Sequence, residues 1–150
     1  MSMSPFPKRA GAVTILAAAL LSMCWPAVAQ EEVAEAKVRV ELNKLEEMGG
    51  ACCAYLLFEN ATESAFDALK LDLVMFDPDG VIAKRLAVEG APLPAGKTSV
   101  KLFDIQGLAC AEIGQILLND LIACQDSQGA RTDCAGLLAP SSRAAVPFIK

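Results

Sequence analysis

An apolar amino-terminal segment constrains this chain most, because it decides the compartment in which the rest must fold. Lys8 and Arg9 supply a short positive start, and an almost unbroken apolar run follows over residues 10–24. The small residues of an A-V-A sequence then end at Ala29. This pattern is typical of a secretory signal peptide. It predicts Sec-type export, cleavage after Ala29 and a periplasmic or secreted location.

Two other fates of this leader stay open. An apolar run of about twenty residues is long enough to cross a bilayer once, so the leader could remain as an uncleaved anchor. Cys24 would be the lipid acceptor of a lipoprotein, although Met23 before it is larger than the usual small residue. We expect cleavage, because Pro26 and the A-V-A ending favour it, and hence no stable membrane insertion afterwards.

The leader comprises residues 1–29, and the rest of the chain has room for one domain of ordinary size. We expect a flexible acidic lead-in over 30–36 and a single domain over 37–150. Cleavage would remove Lys8 and Arg9 and no acidic residue, so the remainder is more acidic than the whole chain, whose formal net charge is −5. This balance argues against nucleic acid and anionic lipid as partners.

The strand that contains the adjacent Cys52 and Cys53 indicates which cysteine is unpaired. Side chains alternate between the two faces of a strand. The even positions over 52–58 are all apolar, whereas the odd positions over 53–59 are mixed. We therefore expect Cys52 to be buried and paired, and Cys53 to point outward as an exposed, unpaired thiol. A strained Cys52–Cys53 ring and a bridge to a second chain through Cys53 are the alternatives.

The other cysteines beyond the leader are expected to pair in an oxidising compartment. Cys124 and Cys134 flank a polar, turn-rich stretch, and a disulfide between them would close a short loop. That pairing leaves Cys52 to bond with Cys110. Four cysteines allow three pairings, however, and the residue pattern alone does not decide among them.

Residues that carry chemistry are sparse. The chain contains no histidine, which excludes Ser–His and Cys–His nucleophiles for this chain acting alone. The cysteine spacing fits neither a zinc site nor a C-x-x-C redox motif. The turn at 77–80 begins like a calcium loop, but position 12 of that loop is Val88 instead of glutamate. We expect no catalytic residue, no metal, no cofactor and no enzymatic activity.

Alternating apolar residues and turn signals every 8–12 residues predict six or seven short strands. The expected fold is all-β, a single antiparallel immunoglobulin-like β-sandwich. A bend or one helical turn is expected over 107–114. The predicted strands lie over 37–45, 51–59, 69–75, 81–88, 98–102, 116–124 and 144–149.

Two short segments resemble a known family. The strand 73–77 and the turn 78–80 resemble the strand-and-turn motif of FxLyD-type domains, which are small bacterial immunoglobulin-like sandwiches. Phe76 stands where that motif has tyrosine, and Leu73 and Met75 stand where it has phenylalanine and leucine. The segment 93–96 resembles the L-x-P-G turn of the same domains. The resemblance implies a fold and no particular activity.

The whole of 38–150 is also similar to a set of uncharacterised secreted bacterial proteins that are labelled by their signal sequence. The shared segments lie over 40–45, 58–62 and 118–120. This similarity implies secretion and brings no activity with it.

A patch of four apolar residues is a candidate interaction site. Val74 and Phe76 lie on the strand face opposite the leucines of 69–75. Phe103 and Ile105 likewise lie on the face opposite Val100 and Leu102. If each sheet packs only one face, these four side chains, Val74, Phe76, Phe103 and Ile105, form an exposed apolar surface. The alternative is that the 107–114 segment or the carboxy-terminal tail covers them.

These observations together favour a periplasmic or secreted, non-enzymatic binding or protein-interaction module. Its partner would be another envelope protein or an exposed β-edge. One alternative is a redox-responsive envelope protein that acts through an exposed Cys53. A second is a structural accessory subunit of an envelope complex. The sequence does not determine the oligomeric state.

Overall fold

Two β-sheets make up most of residues 38–150, which are the residues described by the computed structural model of this chain. The predicted leader, its cleavage site and the acidic lead-in lie outside the described residues. The strands are β1 (Val38–Met48), β2 (Ala51–Asn60), β3 (Ala68–Phe76), β4 (Ile82–Glu89), β5 (Thr98–Ile105), β6 (Gln115–Asp126), β7 (Gly129–Ala130), β8 (Leu138–Ser142) and β9 (Phe148–Ile149). A 3-10 turn at Cys110–Glu112 and one α-helical turn, α1, at Cys134–Leu137 interrupt them.

The two sheets form a β-sandwich, so the predicted fold class is confirmed. The first sheet has the strand order β5-β2-β1-β8, and the second has the order β4-β3-β6-β7, with β9 also paired to β6. The first six predicted strands correspond to β1 to β6, whereas the next strand of five or more residues, β8, lies before the predicted strand over 144–149. The arrangement is not wholly antiparallel, because β8 runs parallel to β1 and β9 runs parallel to β6.

The two parallel strand pairs arise because the carboxy-terminal part of the chain contributes one strand to each sheet. A single edge strand over 144–149 was the expectation from sequence, but the chain instead leaves the first sheet after Ser142 and joins the second at Phe148. The Ser142 hydroxyl donates to the carbonyl of Val146 at 2.6 Å, and this hydrogen bond stabilises the segment that connects the two sheets. Pro147 then presents its carbonyl to the amide of Ile116 at 2.9 Å.

A tight turn and a bulge determine which residues of β1 and β2 share a face. Gly49 and Gly50 have φ values of 58° and 86°, a region that glycine enters without strain, and they join the two strands in a hairpin. The register then shifts between Leu42 and Lys44. Because a bulge inserts one residue, it reverses the alternation beyond it. Lys44 and Glu46 therefore lie on the outward face of the first sheet.

The hydrophobic core lies between the two sheets. Every second residue of β2 enters it, as the alternation predicts, and the leucines of β3 enter it from the other side. Gly90 lies so close to Phe58 that a Cβ atom would be 2.6 Å from the ring, so this position requires glycine. The largest fully buried side chains are Phe58, Phe66, Leu42, Leu56, Leu69, Leu71, Met75, Leu93, Ile105, Ile116, Val38 and Val40.

Two disulfides fasten the turns to the sheets. Cys52 of β2 bonds Cys110 of the 3-10 turn, with an S–S distance of 1.98 Å. Cys124 of β6 bonds Cys134 of α1, with an S–S distance of 1.93 Å. These are the two pairs expected from the sequence. Two disulfides are typical of a protein that folds in an oxidising, extracytoplasmic environment.

Candidate functional site

Cys53 is unpaired, but it is buried and not exposed. Only 2% of its surface is accessible. Its side chain does point away from the core, and it lies between Glu46 on β1 and Asp104 on β5 in the ladder. The exposure expected from sequence is therefore wrong. Strand alternation determines the direction in which a side chain points. Larger side chains on the same face of the neighbouring strands determine whether a small side chain is exposed to solvent.

Burial and a neighbouring carboxylate favour the protonated form of the Cys53 thiol. Burial raises the pKa of the thiol, and Asp104 raises it further through a hydrogen bond and its negative charge. Beside it, the Glu46 carboxylate accepts from Lys44 Nζ at 2.8 Å and from the Tyr55 hydroxyl at 2.7 Å. The thiolate is the reactive form of cysteine. This environment therefore argues against a redox role that depends on an exposed, reactive Cys53.

The four residues of the apolar patch expected from sequence do not come together. Ile105 is 1% exposed and belongs to the core, and Phe103 packs against the core from the same face of β5. The reason is the register of β5 with β2, which sets Ile105 opposite Cys52 and Phe103 opposite Ala54. Residues opposite each other in a ladder share a face. The two faces of β5 are thus the reverse of the expected ones.

The other two residues of that patch lie on the outward face of the second sheet, as expected, but do not form an exposed surface. Val74 is only 6% exposed, and Phe76 is half-buried. Val74 lies opposite Arg85 on β4, whose long side chain extends to Asp72 on the same face. The expected patch is therefore wrong for both pairs of residues.

Two exposed apolar residues lie instead on the outward side of β5, and others are Met48, Val81, Ile82, Ile122 and Ile149. Val100 and Leu102 are 55% and 54% exposed. Directly opposite them on β2 are Leu57 and Tyr55, both half-buried. We call these four residues the β5 strip. Isolated exposed aliphatic residues are ordinary, but the strip places two of them on a sheet edge beside a tyrosine and a leucine.

The backbone of β5 is also open to a further strand. β5 is the terminal strand of the first sheet, and within residues 38–150 no strand pairs with its other side. It runs for eight residues without proline, and its ladder with β2 has no register shift. An edge of this kind offers a row of unpaired N–H and C=O groups to another chain.

The remaining sheet edges in the described chain are less open. β8 has five residues and includes Pro140, which has no N–H to donate. β7 has two residues. β4 carries the exposed Ile82 at its start, but a bulge opposite Phe76 interrupts its register there, whereas the ladder of β5 has no such shift. Short strands, proline and bulges are among the usual means by which proteins protect their edges. β5 is therefore the best candidate site for strand pairing.

A buried carboxylate on the second sheet is structural and was not identified from sequence. The side chain of Asp72 is 3% exposed, and Arg85 holds it with two hydrogen bonds of 2.7 and 2.8 Å. Asn119 donates a third at 2.6 Å. These hydrogen bonds, from Arg85 first and then Asn119, lower the pKa of Asp72. Both carboxylate oxygens of Asp72 accept hydrogen bonds from these two side chains, which is the arrangement of a structural ion pair.

The Asn60-Ala61-Thr62 sequence, which fits a glycosylation signal, is a structural turn. Asn60 is 1% exposed, and its amide nitrogen donates to the carbonyls of Ser64 at 2.9 Å and Pro94 at 3.1 Å. Its oxygen accepts from the amide and hydroxyl of Thr62 at 3.0 and 2.7 Å. The side chain ties the end of β2 to the loop before β5.

Two features are absent from the described part of the chain. Over residues 38–150, no group of three or more histidine, cysteine, aspartate or glutamate side chains has an arrangement that would hold a metal ion. No helix in the same range has the length and apolar character needed to span a membrane.

Comparison with known proteins gives one structural similarity. The fold is similar to IrmA from Escherichia coli, with a TM-score of 0.49 and 10% sequence identity, over 69% of this chain and 89% of that chain. No protein-family model matches the chain, and no curated protein matches it. A structural similarity of this extent carries no argument about function. The resemblance to FxLyD-type domains stays a prediction.

Proposed function

We propose that this protein is a non-enzymatic binding module that takes up an extended segment of a partner polypeptide along β5. The observation that carries the proposal is the combination of an open edge with the β5 strip beside it. In strand addition, main-chain hydrogen bonds supply affinity, and alternate side chains supply specificity. β5 offers both kinds of contact on one element.

The proposed location is the periplasm or the extracellular space. The leader over residues 1–29 has the three parts of a signal peptide, and the two disulfides are suited to an oxidising compartment. The partner in that setting is another envelope or secreted protein. The acidic balance of the chain supports a protein partner over nucleic acid.

The environment of Cys53 supports a binding role over the redox alternative. A thiol that is 2% exposed and flanked by Glu46 and Asp104 is neither accessible nor readily deprotonated. Reactive cysteines lie in electropositive, partly exposed surroundings. Here the thiol is buried and lies between two acidic residues.

A panel of extended peptides tests the proposal. Eight-residue fluorescent peptides in which valine alternates with threonine, glutamine, glutamate or lysine would be titrated with the wild type, with Leu102→Lys and with Ile122→Lys. Ile122 is a matched control, because it is an aliphatic residue that is 55% exposed on β6 of the other sheet. Both substituted positions are exposed, so both variants should melt within a few degrees of the wild type.

We expect at least one peptide to bind the wild type and the Ile122→Lys variant equally, and to bind Leu102→Lys at least tenfold more weakly. The substitution removes an apolar side chain of the β5 strip and places a charge where the apolar side chains of an added strand would pack. Failure of every peptide to bind, or equal weakening by the two substitutions, would contradict the proposal.

A further inference from the structure

Three lysines lie in the middle of β5 and near its two ends. Lys97 directly precedes the strand, and Lys101 lies in its middle. Lys84 belongs to β4, and its ammonium donates to the carbonyl of Gln106, which lies just past the end of β5. Lys101 extends towards the carbonyl of Ala91 at 3.5 Å. Positive charge is therefore present at the start, the middle and the end of the edge.

These lysines differ from the cations that the fold uses for its own ion pairs. Within residues 38–150, the cations with a carboxylate partner are Arg39, Lys44, Arg85, Arg131 and Arg143. Lys84, Lys97 and Lys101 have no carboxylate within salt-bridge distance in the described residues. An ammonium group has three donors. The known contacts of Lys84 and Lys101 are single backbone carbonyls, so each retains donors for a further acceptor.

The alternation of β5 assigns a different chemistry to each side of an added strand. Val100 and Leu102 point outward, whereas Lys101 is on the side that faces the other sheet, together with Phe103 and Ile105. Side chains opposite each other in a ladder share a face. A strand added to β5 would therefore place one set of side chains beside Val100 and Leu102 and the alternate set beside Lys101, with Lys84 past the end of β5 at Gln106.

We propose, on the basis of the function proposed above, that the segment bound by β5 alternates apolar and acidic residues. Its apolar side chains would extend the β5 strip, and its carboxylates would pair with Lys84, Lys97 and Lys101. The same charges argue against a second copy of this chain as the occupant. Pairing β5 with β5 would bring the lysines of one chain close to the same lysines of the other.

The test uses the valine-based peptides with glutamate, glutamine or lysine at alternate positions, and two double variants. Lys97→Gln/Lys101→Gln removes two charges at the edge. Lys70→Gln/Lys150→Gln removes the same number of charges elsewhere, from β3 and the carboxy terminus. Inorganic polyphosphate serves as an anionic competitor that has no peptide backbone.

We expect the glutamate peptide to bind the wild type most tightly and the lysine peptide least. Lys97→Gln/Lys101→Gln should weaken glutamate-peptide binding by about fivefold and leave glutamine-peptide binding unchanged, given the usual strength of exposed ion pairs. The Lys70→Gln/Lys150→Gln control should change neither. Raising the ionic strength should narrow the difference between the peptides because salt screens exposed charges.

Three outcomes would overturn this inference. If the three peptides bind equally and Leu102→Lys still abolishes binding, β5 pairs with strands but does not select acidic ones. If polyphosphate displaces the glutamate peptide at equal charge concentration, the lysines recognise anions without strand pairing. If the protein forms a dimer that Leu102→Lys dissociates, the occupant is a second copy. Failure of all peptides with no dimer present would instead count against the proposed function itself.

Discussion

Leu102 on β5 lies directly opposite Tyr55 on β2, and both side chains are on the outward face of the first sheet. This register leaves Leu102 54% exposed on a strand that has no neighbour on its other side within the described residues. An apolar side chain and an unpaired backbone edge thus occur at the same position. Strand pairing uses both features, which is why β5 is the candidate site of this protein.

The Cys53 thiol should be unreactive in the folded protein. Native protein from which residues 1–29, including Cys24, have been removed should show no thiol that reacts rapidly with a chromogenic reagent at pH 8, whereas the same protein unfolded in urea without reductant should show one. The reason is that burial and the nearby Asp104 carboxylate raise the pKa of this thiol. Rapid labelling of the native protein would contradict the buried position. No thiol in urea would indicate that Cys53 is bonded to a second chain.

Asp72 should stabilise the fold in a pH-dependent manner. We expect Asp72→Asn to lower the free energy of unfolding at pH 7 by about 1–2 kcal/mol, because it removes charge-assisted hydrogen bonds from a buried acceptor whose partner Arg85 is largely exposed. The pKa of Asp72 in the folded chain is below its usual value of 3.8. The contribution of its charge is therefore complete above that value and is lost as the pH falls through the lower, folded pKa.

Urea unfolding at pH 7, 4 and 3 measures this effect. The free energies of unfolding of the wild type and of Asp72→Asn should differ at pH 7 and become more similar at pH 3. Asp120→Asn is the matched control, because Asp120 is exposed and lies opposite Asp72 on β6. A difference between the wild type and Asp72→Asn that is the same at every pH would contradict the assignment of a lowered pKa.

The two disulfides should contribute unequally to stability. The Cys52–Cys110 bond joins residues 58 apart in the chain, and the Cys124–Cys134 bond joins residues 10 apart. In the chain-entropy account, removing the first should cost about 4 kcal/mol and removing the second about 3 kcal/mol. Double serine variants of each pair, unfolded in urea, measure both values. A larger loss from the Cys124–Cys134 pair would show that local packing around α1 outweighs loop length.

The fold class and most of the strand pattern follow from local features of the sequence. Alternation over 52–58 places Cys52 in the core, and the glycines at 49 and 50 specify the hairpin that returns the chain. Each of these features is encoded within a few neighbouring residues. A pattern of period two therefore suffices to predict them.

The exposure of particular side chains does not follow from the same pattern. The face of β5 that is buried depends on its register with β2, a partner some 45 residues earlier in sequence. The burial of Cys53 depends on Glu46 and Asp104, which come from two different strands, and on the bulge after Leu42 that turns Glu46 outward. The site was therefore predicted on the wrong face of β5, because the alternation within one strand does not determine its register with a neighbouring strand.

Amide hydrogen exchange tests strand addition to β5 most directly. Exchange of the backbone amides would be measured with and without the glutamate-alternating peptide at saturating concentration. The account predicts slower exchange within Thr98–Ile105 and unchanged exchange within Ile82–Glu89, the edge of the other sheet. Saturable binding that leaves the β5 amides unchanged, or that protects a different edge, would contradict it.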